Sequence, residues 1–105
     1  MDRRVVWTQV AWDDLEEVVT YISKDSSHYA AGFAREVRAA SRTLSQLAER
    51  GRLVPELDNP TIREIFVRSY RLLYSVTEQV VFILGLVHGA RDLGALWERE
   101  RRPYG

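Results

Sequence analysis

Residues 80 to 87, Val-Val-Phe-Ile-Leu-Gly-Leu-Val, are apolar almost without a break. Such a run predicts a strand covered on both faces. Ahead of it, Tyr70 to Val76 alternates, with Tyr70, Leu72, Tyr74 and Val76 on one face and Arg71, Leu73 and Ser75 on the other. The polar pair Glu78–Gln79 between the two runs predicts a short antiparallel hairpin. Further upstream, Arg63 to Val67 sets Ile65 and Val67 against Glu64 and Phe66, and residues 4 to 9 predict a first short strand with Val5 and Trp7 on one face.

Between these strands the apolar period changes. Leu15, Val18, Val19 and Ile22 recur at helical spacing and predict a helix over Ala11 to Ser23. Its start is open: Thr8 or Gln9 precedes the cap, or Asp13 is itself the cap. Asp13, Asp14, Glu16 and Glu17 crowd its first turns, where carboxylates complement the helix dipole. After Lys24-Asp25, Ser26 or Ser27 caps a second helix expected from about His28 to about Arg50. Its stripe is Ala30, Phe33, Val37, Ala40, Leu44 and Leu47, with Gly51 as the C-cap. Residues 51 to 61 hold two of the three prolines and read as an extended loop.

The order β-α-α-β-β-β defines an α+β fold, a helical hairpin packed on one face of a mostly antiparallel four-stranded sheet. The other face then has no helix to cover it, and stays polar or meets a partner. Residues 93 to 105 carry Leu96, Trp97 and a run of mixed charge. They read as a last helical turn on the sheet edge or as a tail ordered by a partner. The chain, 1 to 105, is expected to form one domain.

Composition narrows the function. There is no cysteine, so disulfides and thiolate metal sites are excluded and a reducing, cytoplasmic setting is expected. No apolar run is long enough to span a bilayer, and the N-terminus does not have the pattern of a signal peptide. The formal net charge is zero, which argues against non-specific nucleic-acid binding. Fourteen of the fifteen basic residues are Arg, Lys24 being the exception. Arg suits bidentate phosphate or carboxylate recognition, but a GC-rich codon bias produces the same excess.

Candidate chemistry gathers where the long apolar strand ends, at His88, Gly89 and Arg91, next to Arg71 on the neighbouring strand. A histidine titrates near neutrality and an arginine presents a fork to oxyanions. Structural roles fit the same residues. His88 also suits a hydrogen-bonded surface position, Arg63 and Glu64 a set of cross-strand pairs, and Arg71 an ion pair with Asp92 or Glu56.

Several fragments recur in a fixed order: Trp7-Thr8 before Ala11-x-x-Asp14-Leu15, Tyr21-Ile22, Ala30-Ala31-x-Phe33, and Gly51-Arg52-x-Val54-Pro55-Glu56. Arg63-Glu64-x-x-Val67, Tyr70-Arg71-Leu72-x-Tyr74 and His88-Gly89-Ala90-Arg91-Asp92 complete the set. Together they resemble the RelE/ParE superfamily of type II toxin–antitoxin toxins over nearly the whole chain. The resemblance implies one of two activities. One branch consists of ribosome-dependent endoribonucleases that cut mRNA without a metal or other cofactor; the other, the ParE branch, poisons DNA gyrase. It also implies a cognate antitoxin, with operator DNA reached only through that antitoxin, and no membrane partner.

On the nuclease reading, Glu56 is the base, Arg71 the phosphate ligand and His88 the acid, with Arg63 and Arg91 extending the cationic patch. The potent nucleases of the superfamily are basic and rich in Lys, and this chain is neither. That departure favours the gyrase reading, with Arg63, Arg71, Arg91 and the tail residue Trp97 as the target-binding set. Trp7, Trp12, Tyr21, Phe33, Phe66, Tyr74 and Phe82 are expected in the core, Tyr29 and Tyr70 at its rim, and Tyr104 with Trp97 in partner contact. His28 is assigned no role.

Overall fold

A computed structural model describes residues 2–100. The elements are β1 (Arg4–Trp7), α1 (Gln9–Ser23), α2 (Ser27–Thr43), β2 (Arg52–Leu53), β3 (Ile62–Val67), β4 (Tyr70–Val76), β5 (Val80–His88) and α3 (Leu93–Glu100). The strands form one five-stranded sheet in the order β1-β5-β4-β3-β2. β1 runs parallel to β5, and the remaining pairs are antiparallel. The α+β class and the helical hairpin agree with the expectation from sequence, but the strand count is one higher than the four expected. The extra strand, β2, pairs Arg52 with Glu64 and Leu53 with Arg63 inside the stretch read as loop. Two residues beside a glycine and a proline are too few to show a period.

The caps resolve the helix starts. Thr8 precedes α1 and accepts from Ala11 N at 3.2 Å, while Ser26 precedes α2 and accepts from Tyr29 N at 3.1 Å. With α1 starting at Gln9, the row Asp13, Asp14, Glu16, Glu17 lies beyond its first turn, which holds no acidic residue. The dipole role expected for that row therefore falls away, because the effect fades beyond the terminal turn.

α2 ends at Thr43, well short of Arg50. The hydroxyls of Ser41 and Thr43 bond back to Arg38 O (2.7 Å) and Ala40 O (2.6 Å), a habit that weakens a helix near its end. The chain then turns so that Ser45 bonds Arg3, just ahead of β1, through both its backbone carbonyl and its hydroxyl. Leu47 consequently faces solvent. Gly51 is not a helix C-cap. It passes so close to the sheet that a Cβ there would stand 2.5 Å from both Glu64 O and the Tyr74 hydroxyl. The buried Tyr74 hydroxyl holds the whole connection, donating to Ala48 O (2.8 Å) and accepting from Gly51 N (3.0 Å). Burial pushes its pKa up.

Within β5 the register slips: Leu73 pairs with Gly85 but Tyr74 pairs with Ile83, leaving Leu84 as an inserted bulge residue. Val81, Ile83 and Leu86 therefore face the helical hairpin, with Phe33, Val37 and Leu72. Leu84 and Val87 face the other way, with Ile62 and Leu73. Two cores thus lie on the two faces of one sheet, and the near-continuous apolar run of β5 feeds both.

The second face is covered, contrary to the expectation from sequence. Asp92 caps α3 by accepting from Ala95 N (3.1 Å), and Leu93, Leu96 and Trp97 pack onto the sheet. Trp97 is only 5% exposed, so its ring is a core residue rather than a contact surface. The charged run had hidden an i, i+3, i+4 stripe. Tyr104 lies outside the described residues.

Three expected core aromatics sit at the surface instead: Trp12, Tyr21 and Phe66. Trp12 stacks on Trp7 with centroids 4.6 Å apart. Phe66 projects past the end of the β2 pairing, with the Arg52 guanidinium 5.6 Å above its ring.

Candidate functional site

Strand alternation divides the candidate residues between the two faces of the sheet. Arg71 is paired with Phe66 and Val87, on the α3 side. Its neighbour Tyr70 is paired with Val67 and His88, on the hairpin side.

On the α3 side four charges form an alternating chain. Arg52 Nε donates to Glu64 Oε2 (2.6 Å), and Arg71 Nε donates to Glu64 Oε1 (2.5 Å). Arg71 Nη1 and Nη2 donate to Glu56 Oε2 and Oε1 at 2.6 and 2.7 Å, a bidentate fork. The burial is graded, with Glu64 0%, Arg71 4% and Glu56 37% exposed at the side chain. Glu64 and Arg71 are therefore mutually obligatory, since a buried charge needs its partner. The hydrogen bond from Arg71 lowers the Glu56 pKa against the opposing effect of desolvation. The bond from Glu56 raises that of Arg71, again against desolvation, and keeps the guanidinium charged. Asp92, the other partner weighed for Arg71, caps α3 instead.

On the hairpin side His88 ends β5, exposed to solvent. Its Nδ1 accepts from Ala90 N at 3.1 Å, so the neutral ring carries its proton on Nε2. The Tyr70 ring meets it edge-on, centroids 5.2 Å apart. Both line a cavity of about 680 Å³ between α1 and β5, together with Arg91, Tyr21 and the acidic row of α1. Burial raises the Tyr70 pKa.

The expected six residues thus separate into parts. Glu56 and Arg71 meet, His88 and Arg91 share the opposite side, Arg63 donates to Gly51 O (2.7 Å), and Trp97 is core. Glu64 and Arg52 complete the charge chain without having been singled out for it. The signal was available for Glu64, an acid at an inward position of an alternating strand. Arg52 lay in the unread strand. Asp14 is the other omission: its Oδ2 accepts from Leu86 N (2.9 Å) just past the β5 bulge, where β1 no longer pairs with that strand. Among the described residues, no group of three or more His, Cys, Asp or Glu is placed to hold a metal ion. No helix among them is long and apolar enough to cross a membrane.

This fold and these residues have relatives. Residues 5–93 match the family described as ParE toxin of type II toxin-antitoxin system, parDE. The chain is 35% identical over 89 residues to Toxin RelE2 of Caulobacter vibrioides, covering 84% of this chain and 97% of that protein. Among solved structures it is similar to the chromosomal ParDE toxin–antitoxin system from P. aeruginosa, with TM-score 0.68 at 19% identity, covering 82% of this chain and 95% of that one. It is also similar to the RelBE2 toxin–antitoxin complex from Mycobacterium tuberculosis, with TM-score 0.58 at 24% identity, covering 84% of this chain and 99% of that one. These two similarities show the shared fold, while the family match and the Caulobacter relative place the sequence. The chain belongs to the ParE toxin family of type II toxin–antitoxin systems, within the RelE/ParE superfamily.

Proposed function

We propose that this toxin acts by binding a protein target, DNA gyrase in the manner of the ParE branch, and that a cognate antitoxin neutralises it in the cytoplasm. The observation that carries this reading is the saturation of Arg71. Its fork is filled by Glu56 and its Nε by Glu64, while His88 stands on the other face of the sheet. Metal-free RNA cleavage needs a cation and a proton donor on one phosphate. A phosphate reaching Arg71 must first displace Glu56, and it then has no histidine beside it. Inhibition by contact demands no such convergence. The antitoxin would lie in the groove of the helical hairpin and along a sheet edge.

The test is a supercoiling assay with purified toxin and gyrase, run beside a translation extract scored for cut mRNA. Loss of supercoiling with intact mRNA supports the reading, and unaffected gyrase at stoichiometric toxin ends it. The nuclease reading retains one favourable observation, the direct contact of Glu56 with Arg71. His88→Ala decides that point, because the residue is exposed and its loss leaves the fold intact. A fully toxic His88→Ala variant removes the nuclease mechanism.

A further inference from the structure

We infer that the outward face of α2 binds the phosphate backbone of duplex DNA through Arg35, Arg38 and Arg42, without reading its sequence. The inference does not depend on the identity of the toxin's target, and it departs from the expectation that DNA is reached only through the antitoxin. The three arginines recur at i, i+3 and i+7, so they project from one side of the helix. The stripe of Ala30, Phe33, Val37 and Ser41 that enters the core lies on the other side. All three arginines are exposed.

A codon bias can supply arginines, but it does not decide which of them the fold employs. Arg52, Arg68 and Arg71 are held in ion pairs, and Arg3, Arg50 and Arg63 donate to backbone or hydroxyl oxygens. Arg35, Arg38 and Arg42 have no hydrogen bond or ion pair among the described residues. The one carboxylate of α2, Glu36, is turned to Arg68 on the β3–β4 turn. Arg38 lies 5.9 Å over the ring of Trp12, itself stacked on Trp7, so its stem is braced while its donors stay open. The zero net charge of the chain hides this arrangement. α1 holds Asp13, Asp14, Glu16 and Glu17 and no Lys or Arg, whereas α2 holds three arginines against one glutamate.

The rest of the face selects the partner. Between the arginines it carries only small side chains, Ala31 and Ala39, both exposed. No large apolar side chain stands among them, whereas protein interfaces draw most of their energy from buried anchors. A phosphate backbone asks for the opposite, cations at intervals on a surface that allows close approach. Arginine suits it because the planar fork takes two phosphate oxygens at once. At about 1.5 Å of rise per residue, Arg35 and Arg42 lie about 10 Å apart along the helix, the length over which one strand of duplex DNA presents about three phosphates. The helix fixes that spacing before contact, which limits the entropy lost on binding. Contacts to phosphate position a protein on DNA but carry no sequence information.

The experiment follows the fluorescence anisotropy of a short labelled DNA duplex of arbitrary sequence, titrated with the full chain and with an Arg35→Gln/Arg38→Gln/Arg42→Gln variant. A thermal melt checks that the variant folds. For the full chain, the logarithm of the affinity is expected to fall with that of the salt concentration with a slope of about −3, as three phosphate contacts require. The triple variant is expected to bind at least about tenfold more weakly, and each single substitution to reduce the steepness of the slope by about 1. Failure of the full chain to bind at low salt, or substitutions that leave both affinity and slope unchanged, overturns the inference. Two competition results also overturn it. Polyglutamate that displaces the labelled duplex as readily as unlabelled duplex does would mark the face as a site for acidic protein, and single-stranded RNA that binds more tightly than the duplex would mark it as a site for RNA.

Discussion

The two sides of the sheet handle charge in opposite ways. On the face that α3 packs against, Arg52, Glu64, Arg71 and Glu56 satisfy one another in a chain, and the arginine between the two glutamates is almost wholly buried. Across the sheet, the acidic row of α1 lines a groove, and its Glu16 and Glu17 are exposed, with no ion pair among the described residues. Placement in a motif therefore does not reveal which residues are available. Arg71 and His88 sit in equally distinctive fragments, yet one is built into the fold and the other is presented to solvent. The lesson is that a charge held by the fold serves its stability, whereas an exposed charge is not needed for it.

The sharpest way to break that comparison is Glu64→Gln. It is isosteric but removes the charge that two arginines share, and Arg71 cannot turn to water. Unfolding by denaturant is expected to show a loss of about 3 kcal/mol or more, in the range for breaking a buried ion pair. Glu16→Gln or Glu17→Gln, in the groove, should stay within about 0.5 kcal/mol of the parent. A loss below about 1 kcal/mol for Glu64→Gln would mean that the charge chain does not act as a structural unit.

Gly51→Ala comes next. A Cβ 2.5 Å from a backbone carbonyl and from the Tyr74 hydroxyl has to push one of them aside, and the carbonyl belongs to Glu64 itself. A loss of about 1–3 kcal/mol is expected, as for overpacking in a core. The Tyr74 hydroxyl should also lose its bond to Gly51 N, visible as faster exchange of that amide.

How much of this was written in the sequence differs by residue. The faces of β3 and β4 were legible because one of every two residues is apolar, and Ser26 was legible as one of two candidate caps because hydroxyls favour that position, whereas Thr8 was read only as standing ahead of the α1 cap. The five-stranded sheet and the second core were not. β2 is too short to have a period, and the bulge at Leu84 lets an unpatterned apolar run serve both faces. α3 was legible only as one of two alternatives, a last helical turn on the sheet edge, because its three buried residues are diluted by charges that face water, and its place over the second face was not foreseen. In the candidate site, residue types left Asp92 and Glu56 open as ion-pair partners of Arg71, and the fold pairs it with Glu56. Nothing in a linear sequence reveals that His88, an odd number of residues from the Arg71 partner Val87, turns to the other side.

Glu56 marks the boundary between the closed and the open regime, and pH tests it. The Arg71 fork lowers its pKa in the folded state, so the unfolded chain takes up a proton first as pH falls. The stabilisation is fully present above the ordinary glutamate value of about 4.3 and is lost as pH drops through the lower folded value. With the side chain 37% exposed, solvent screening limits the effect to about 1 kcal/mol. Glu56→Gln should flatten the acid limb of a stability-versus-pH curve measured between about pH 6 and pH 3. An unchanged limb would show that Glu56 does not hold the fork in solution.

The smallest effect expected lies at the turn between β3 and β4. Arg68 sits there with φ at 53°, in the left-handed region that disfavours side chains. Its guanidinium reaches Glu36 on α2, but both side chains are about half exposed, and such pairs contribute little. Arg68→Gly removes the strain and the ion pair together. Because strained backbone outweighs a screened surface pair, a gain of up to about 1 kcal/mol is expected, read as a higher denaturation midpoint with unchanged slope. A loss instead would show that even a solvated arginine can be held by the fold, and would move the line between closed and open charge further out from the core.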